Sequence, residues 1–474
     1  MHRTRILGAL LLLGLLLGSL GAWAQDMMFD KAQRVNLELT IYNQNLAVVR
    51  DIRRVPLKAG ENSVIWTDVP KFLDPTTVSL KSLTAPKAVT LRWHDFLFNT
   101  INSSKLLDKY VGQEVNLVRY DDKGGIAENV KGTLLGVDGG LAIKVNGTIR
   151  LNPPGTVVVS GALDGYYPKP TLSLNVGAPQ QAMHELNLAY VTEGLSWTTE
   201  YGATLSEDNK TMDLQAWAVI TNQSGVTFPN AKLRLISGEP RRMRRAQPRG
   251  EAAYMRQANA LELGDAAKAA GAAAPAFAES ASFEYHAYDL DQRATLVDEQ
   301  TKQMALLESE NVKIDRRFVF SGMGGKDRVA IVVKFKNTKE NGLGTVLPAG
   351  RMRFHQVESP QRQQWLGEDM LANIGNLQEA EPTAGYAFEL QGERRQTAYR
   401  RLSDRVWEED IEITLKNGKK EDVTIDVIQA YGQNLELLKS SHPGTVKNSR
   451  TLEFKIPVPK EGEVKLTYSV RLSY

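Results

Sequence analysis

The chain has 474 residues, with 58 lysines and arginines, 55 aspartates and glutamates, six histidines and no cysteine. A mixed, nearly neutral charge excludes an electrostatic nucleic-acid binder. The missing thiols exclude disulfides, thiol nucleophiles and cysteine-ligated metals together.

Residues 1–24 have the layout of a signal peptide: Arg3 and Arg5, an uncharged leucine-rich run from Ile6 to Leu20, then Ala22-Trp23-Ala24. The run is shorter than the ~20 residues of a spanning helix, so an uncleaved anchor is the weaker alternative. No cysteine follows it to carry a lipid, and no later stretch is long and apolar enough to span a bilayer. The expectation is an exported chain that starts at Gln25, sits in the periplasm or at the cell surface, and has no transmembrane segment.

From residue 34 onward nearly every ordered segment alternates apolar and polar residues, the period of a half-buried strand. "RVNLELTIY" and "LAVVRDIRRVPL" flank the turn "YNQN". Between 104 and 160, "VGQEVNLVRY", "KGTLLGVDGG", "LAIKVN", "GTIRLN" and "TVVVSG" are five short strands with glycine-rich turns. So few residues bury both faces only by curling into a small barrel. That module resembles an SH3-like barrel, with Gly132 and Gly139-Gly140 at its corners, and an architectural role is expected because it has no basic or aromatic groove.

In "LAYVTEGLSWTTEYGATL" the parity of the apolar positions changes across Glu193-Gly194, as a bulge or tight bend requires. Trp197 and Tyr201 then share a face with Leu195, Ala203 and Leu205, so core packing is expected and a binding platform is the alternative. "DLQAWAVITNQSGVTFPNAKLRLIS" reads as a β-hairpin closed by Asn222 to Gly225. Residues 241–282 are arginine-rich, then alanine-rich, and predict a flexible insertion. Strands resume at 283, with one short helix expected near "QRQQWLGEDMLANIGNL", and from 381 about seven short strands follow the immunoglobulin-like pattern.

"IYNQNLAVVRD", "FLDPTTVSL", "AYVTEGLSWTTEYGATL", "ITNQSGVTFPNAKLRLISGEP", "DLDQRATLVDEQTKQMALLES", "LPAGRMRFHQ", "WLGEDML" and "AGYAFEL" resemble, in this order, the blocks of a bacterial family of unknown function. That family shares its C-terminal domain with the mucoidy-inhibitor A-like proteins. The resemblance implies an exported β-rich envelope protein and supplies no catalytic residues. Within it, Gly194, Trp197, Tyr201, Asn222 and Gly225 form the structural signature.

No motif for chemistry emerges. The six histidines show no metal-ligand spacing, and there is no G-x-S-x-G elbow. "SGMGGKDR" lacks the P-loop spacing and reads as a hairpin turn. Glu368-Asp369 and Glu408-Glu409-Asp410 are acids of the type glycosidases use, but neighbours in a strand point to opposite faces. Two basic clusters stand out, Arg241, Arg242, Arg244 and Arg245, and Arg394, Arg395, Arg400 and Arg401. The first is the candidate contact for an anionic polymer.

The expectation is therefore an all-β, multi-domain chain of β-sandwich regions. It has an N-terminal region at 25–180 with the barrel at 104–160, a central region at 181–380, and an immunoglobulin-like sandwich at 381–474. No metal, cofactor or catalytic residue is expected. The role expected is binding or scaffolding of an envelope protein or anionic polymer, with a hydrolase acting on cell-wall or capsular polysaccharide as the alternative.

Overall fold

The computed structural model describes residues 27–98, 103–121, 123–137, 140–159, 167, 169–238, 240, 277–282, 285–322, 328–359 and 362–474. Residues 1–24, for which a signal peptide was expected, Arg241, Arg242, Arg244 and Arg245, Gly139, and most of the expected insertion lie outside the described residues. Among those described, strands dominate several sheets, and the one α-helix is Ser103–Asp108. The chain is all-β.

It forms two compact units: the described parts of 1–35, 52–71 and 78–188, and residues 36–51, 72–77 and the described parts of 189–474. The units interleave in sequence. The strands Leu46–Leu57 and Ala182–Thr192 each run through a point where the chain passes from one unit to the other.

The first unit contains a four-stranded sheet in the order Met27–Phe29, Gly60–Trp66, Thr171–Ala178, Thr90–Leu97. Arg53 is fully buried against it, donating to the carbonyls of Phe29 (2.6 Å) and Thr67 (2.8 Å) and stacking 4.4 Å from the Trp66 ring. The same unit holds the five-stranded module. Its strands Glu114–Tyr120, Ile126–Gly136, Ala142–Val145, Thr148–Leu151 and Thr156–Val158 form an antiparallel meander whose last strand returns beside the first. Leu117, Leu134, Ile143 and Val145 fill a core of its own. A Cβ on Gly132 would fall 2.6 Å from the Ile143 side chain and 2.9 Å from the Lys144 carbonyl, so glycine is what lets the neighbouring strand approach this closely.

The second unit has two cores. In the first, Phe228–Ser237 pairs with the Arg34–Tyr42 strand over residues 38–42 and with Tyr285–Leu290. Facing it are Arg362–Leu371, Gly350–Ser359, Leu195–Leu205, Thr211–Asn222 and the first half of Gln300–Phe320. The second half of that 21-residue strand pairs with Arg328–Lys336 on one side and Val423–Ala430 on the other. There it joins a sandwich cored by Phe318, Phe320, Leu390, Ile413, Phe454 and Tyr468. Seven strands from 383 to 473 complete this sandwich, so its core begins upstream of residue 381. The "SGMGGKDR" segment connects the antiparallel pair Gln300–Phe320 and Arg328–Lys336, with no helix after it to cradle phosphate; residues 323–327 of it lie outside the described residues.

Two expectations are corrected. Thr211–Asn222 and Phe228–Ser237 are not a hairpin: the first pairs with Leu195–Leu205 and Gln300–Phe320, the second with strands of the opposite sheet. The intervening turn is an arch between sheets, held by a buried asparagine. Asn222 donates to the carbonyls of Val226 (2.9 Å) and Leu296 (3.1 Å) and accepts from the backbone and hydroxyl of Ser224. Alternation identifies a strand but not its partner, and a satisfied buried side chain can replace hairpin hydrogen bonds. The helix expected near 361–377 is also absent. Residues 362–371 form a strand against Gly350–Ser359, and a register shift between Phe354 and His355 breaks the alternation that would have shown it.

Candidate functional site

The sequence signature occupies the centre of the first core of the second unit. Along Leu195–Leu205 the odd positions are buried, with Trp197 at 0% exposure and Tyr201 at 1%. The Trp197 indole donates to the Ile236 carbonyl (3.1 Å) and meets Tyr288 edge-on at 6.0 Å. Both partners belong to the facing sheet. The Tyr201 hydroxyl donates to the Pro348 carbonyl at 2.6 Å, and burial pushes its phenol well above the usual range, with Tyr288 adding to the shift. The aromatic pair is core, as its parity predicted, and offers no platform.

Gly194 makes the bend. Its φ is +89°, its N–H donates to Asn45 Oδ1 (2.9 Å), and a Cβ would lie 2.7 Å from Ser224 Cα. Gly194→Ala is therefore expected to cost about 1–3 kcal/mol in strain, read as a lower thermal midpoint. An unchanged midpoint would show that the bend and arch are not locked together. Gly225 also sits at positive φ, +89°, and donates to Asp298 Oδ1 at 2.9 Å.

The opposite face of the same strand carries charge. Glu200 receives Arg351 (3.0 Å) and Arg353 (3.1 Å), and Glu368 approaches Arg353 at 3.5 Å and Arg351 at 4.0 Å. Thus "AYVTEGLSWTTEYGATL", "LPAGRMRFHQ" and "WLGEDML" become three neighbouring strands, tied by two arginines between two carboxylates. Burial, helped by Arg353, holds the His355 imidazole below its ordinary range.

The remaining candidate acids are also occupied. Glu408 binds Arg471 (2.9 Å) and Arg400 (3.4 Å), Asp410 binds Arg400 (2.7 Å) and the Ser469 hydroxyl, and Glu409 accepts from the Trp407 indole (3.2 Å). Asp410 is drawn down to about 2, by Arg400 first and Ser469 second. The second basic cluster is neutralised by these pairs and by Arg395–Glu412 (3.0 Å), Arg401–Asp404 (2.7 Å) and Arg394–Glu409 (4.0 Å). It presents no uncompensated positive surface. The carboxyls of Glu128, Asp208, Glu340, Glu379, Asp410 and Glu453 are displaced downward. A glycosidase acid needs the opposite displacement. No group of three or more metal-ligating side chains occurs among the described residues.

A depression of about 350 Å³ lies between Lys313, Lys334, Lys336, Glu340 and Glu379. Lys334 is already bound by Glu379 (2.8 Å) and Glu381 (3.3 Å), so charge is balanced within its walls.

Three exposed aromatic side chains lie on two neighbouring strands of this unit. Phe388 is 96% exposed, Trp365 58% and Tyr386 55%. Thr383–Arg401 carries Tyr386 and Phe388, and Arg362–Leu371 carries Trp365. These strands run antiparallel past one another. Asp369 accepts from the Thr383 amide (2.7 Å), Gly367 sits under the Ala384 carbonyl, and a Cβ on Gly385 would lie 3.1 Å from the Leu366 carbonyl. Trp365 and Tyr386 are the next residues on each. The sequence concealed this patch, because Tyr386, Phe388 and Leu390 have one parity and read as a single buried face. A wide bulge, in which Val329 pairs with Ala387 but Arg328 with Gln391, buries Leu390 and turns Phe388 out.

No helix among the described residues is long and apolar enough to cross a membrane. No curated protein matches the chain. The Domain of unknown function (DUF4139) matches residues 186–474, the stretch that contains the arch, the arginine–glutamate lattice and the aromatic patch. That match covers more than half of the chain, and the protein belongs to the DUF4139 family.

Proposed function

We propose that the protein is an exported, non-catalytic envelope component that binds or scaffolds a macromolecular partner, either another protein or a polymer. The observation that carries this reading is the exposed group Trp365, Tyr386 and Phe388. Contiguous exposed aromatic surface costs solubility and marks interaction sites. Of the acids that could have served hydrolysis, Glu368, Glu408, Glu409 and Asp410 are fixed on arginines and Asp369 on backbone amides, which favours binding over catalysis. Export to the periplasm or cell surface is part of the proposal, motivated by the basic, leucine-rich, small-residue order of residues 1–24. So is kinship with the mucoidy-inhibitor A-like proteins through the C-terminal region.

A photo-crosslinking side chain placed at Phe388 in living cells should give discrete adducts, with a crosslinker at exposed Lys465 as control. Indistinguishable adducts from the two positions, read by mass spectrometry, would remove the basis for a binding face here.

A further inference from the structure

The partner suggested by the chemistry of this face is the chain itself. Two charged groups accompany the aromatic residues without a counter-ion among the described residues. Arg328 lies with its guanidinium 5.4 Å from the Tyr386 ring centroid, and Glu389 follows Phe388 in the bulge. Neither forms an ion pair with any described residue, while most arginines of the neighbouring sheets do. The face therefore offers exposed apolar area with one cation and one anion that have no ion-pair partner among the described residues. A two-fold axis brings such a patch onto itself with each Arg328 opposite the other copy's Glu389, the self-complementarity an isologous interface requires.

We propose that the face bearing Trp365, Tyr386 and Phe388 is a two-fold interface between copies of this chain, closed by reciprocal Arg328–Glu389 pairs. This rests on the reading of that face as a binding surface and names its occupant. The composition fits, because aromatic residues and arginine are enriched at interface cores and dominate their energetics. The area fits as well. At about 200 Å² for a fully exposed aromatic side chain, the three groups supply on the order of 400 Å², roughly half of the ~800 Å² each partner contributes to a standard interface. The two ion pairs would add register and orientation.

Sedimentation velocity on the purified full chain across a micromolar concentration series tests this. The wild type should shift reversibly from monomer to dimer. Phe388→Glu should remain monomeric at every concentration, with an unchanged circular dichroism spectrum because residue 388 contributes nothing to the core. Arg328→Glu and Glu389→Arg should each weaken the dimer by about tenfold or more, by placing like charges opposite one another. The double exchange Arg328→Glu/Glu389→Arg should restore dimerisation, because in a two-fold interface each reversed pair again meets its opposite. That rescue separates a specific pair from general stickiness. A wild type that stays monomeric throughout, or a double exchange no better than the single variants, overturns the proposal. Discrete crosslinks from position 388 to a different protein, a polymer or lipid, with the chain monomeric, would overturn the self-association alone. Absence of both crosslinks and dimer would remove the binding reading with it.

Discussion

Replacing Trp197 by alanine is expected to destabilise the second unit by about 3–5 kcal/mol, the range for truncating a fully buried large aromatic side chain. The site has little capacity to collapse, because Trp197 bridges two sheets. Its ring meets Tyr288 at 6.0 Å and its N–H binds the Ile236 carbonyl at 3.1 Å. Alanine would leave that carbonyl without its donor, and an orphaned buried polar group costs about 1–3 kcal/mol by itself, overlapping the figure above. Trp197→Phe should keep much of the packing and lose the hydrogen bond, falling well short of the alanine variant. Urea unfolding checks both, with the midpoint lowered and the slope unchanged. A loss below about 1 kcal/mol for the alanine variant would contradict the bridging role, given the cost of a cavity this size.

Arg317→Met should have a comparable effect in the sandwich. Arg317 donates to Asp426 (2.6 Å) and Glu453 (2.9 Å), all three side chains are largely shielded, and Lys447 approaches Glu453 at 2.9 Å. Removing one member of a buried charge cluster leaves its partners desolvated and costs about 3–5 kcal/mol. Replacing the whole group tests whether the cost is the orphaned charge. Arg317→Met with Asp426→Asn and Glu453→Gln should recover most of the loss, since fully neutral replacements of buried ion pairs are often tolerated. A triple variant no more stable than Arg317→Met would assign the loss to packing instead.

The pH dependence of this cluster follows from Glu453. Burial by itself would raise its carboxyl, but Lys447 and Arg317 outweigh burial and leave it below the ordinary range. A depressed folded-state value means the pair's contribution is complete above the unfolded value near 4.3 and is lost as pH falls through the lower, folded value. Acid unfolding of the wild type should therefore begin below about pH 4, and Glu453→Gln should flatten that limb.

Much of the architecture was legible because strand alternation is a local signal. Trp197 and Tyr201 fall on the buried parity of Leu195–Leu205, and Gly194 marks the point where parity changes. The five short strands of the small module were readable one by one, because each is bounded by turn residues. The C-terminal strands were legible for the same reason, since polar turns separate runs whose apolar positions return every second residue.

What remained hidden depends on partners distant in sequence. The segments before and after Asn222 each read correctly as strands, yet they enter opposite sheets, because alternation carries no information about which edge a strand will join. Arg351, Arg353 and Glu368 were visible as charges, but their lattice with Glu200 exists only once three separated segments lie side by side. By itself the sequence determined which residues are strand and which face of most strands is apolar. Only the tertiary structure decided that Phe388 faces solvent while Leu390, of the same parity, is 1% exposed. The reason is the bulge opposite Arg328 and Val329, a shift in pairing register that both strands set together and neither encodes alone.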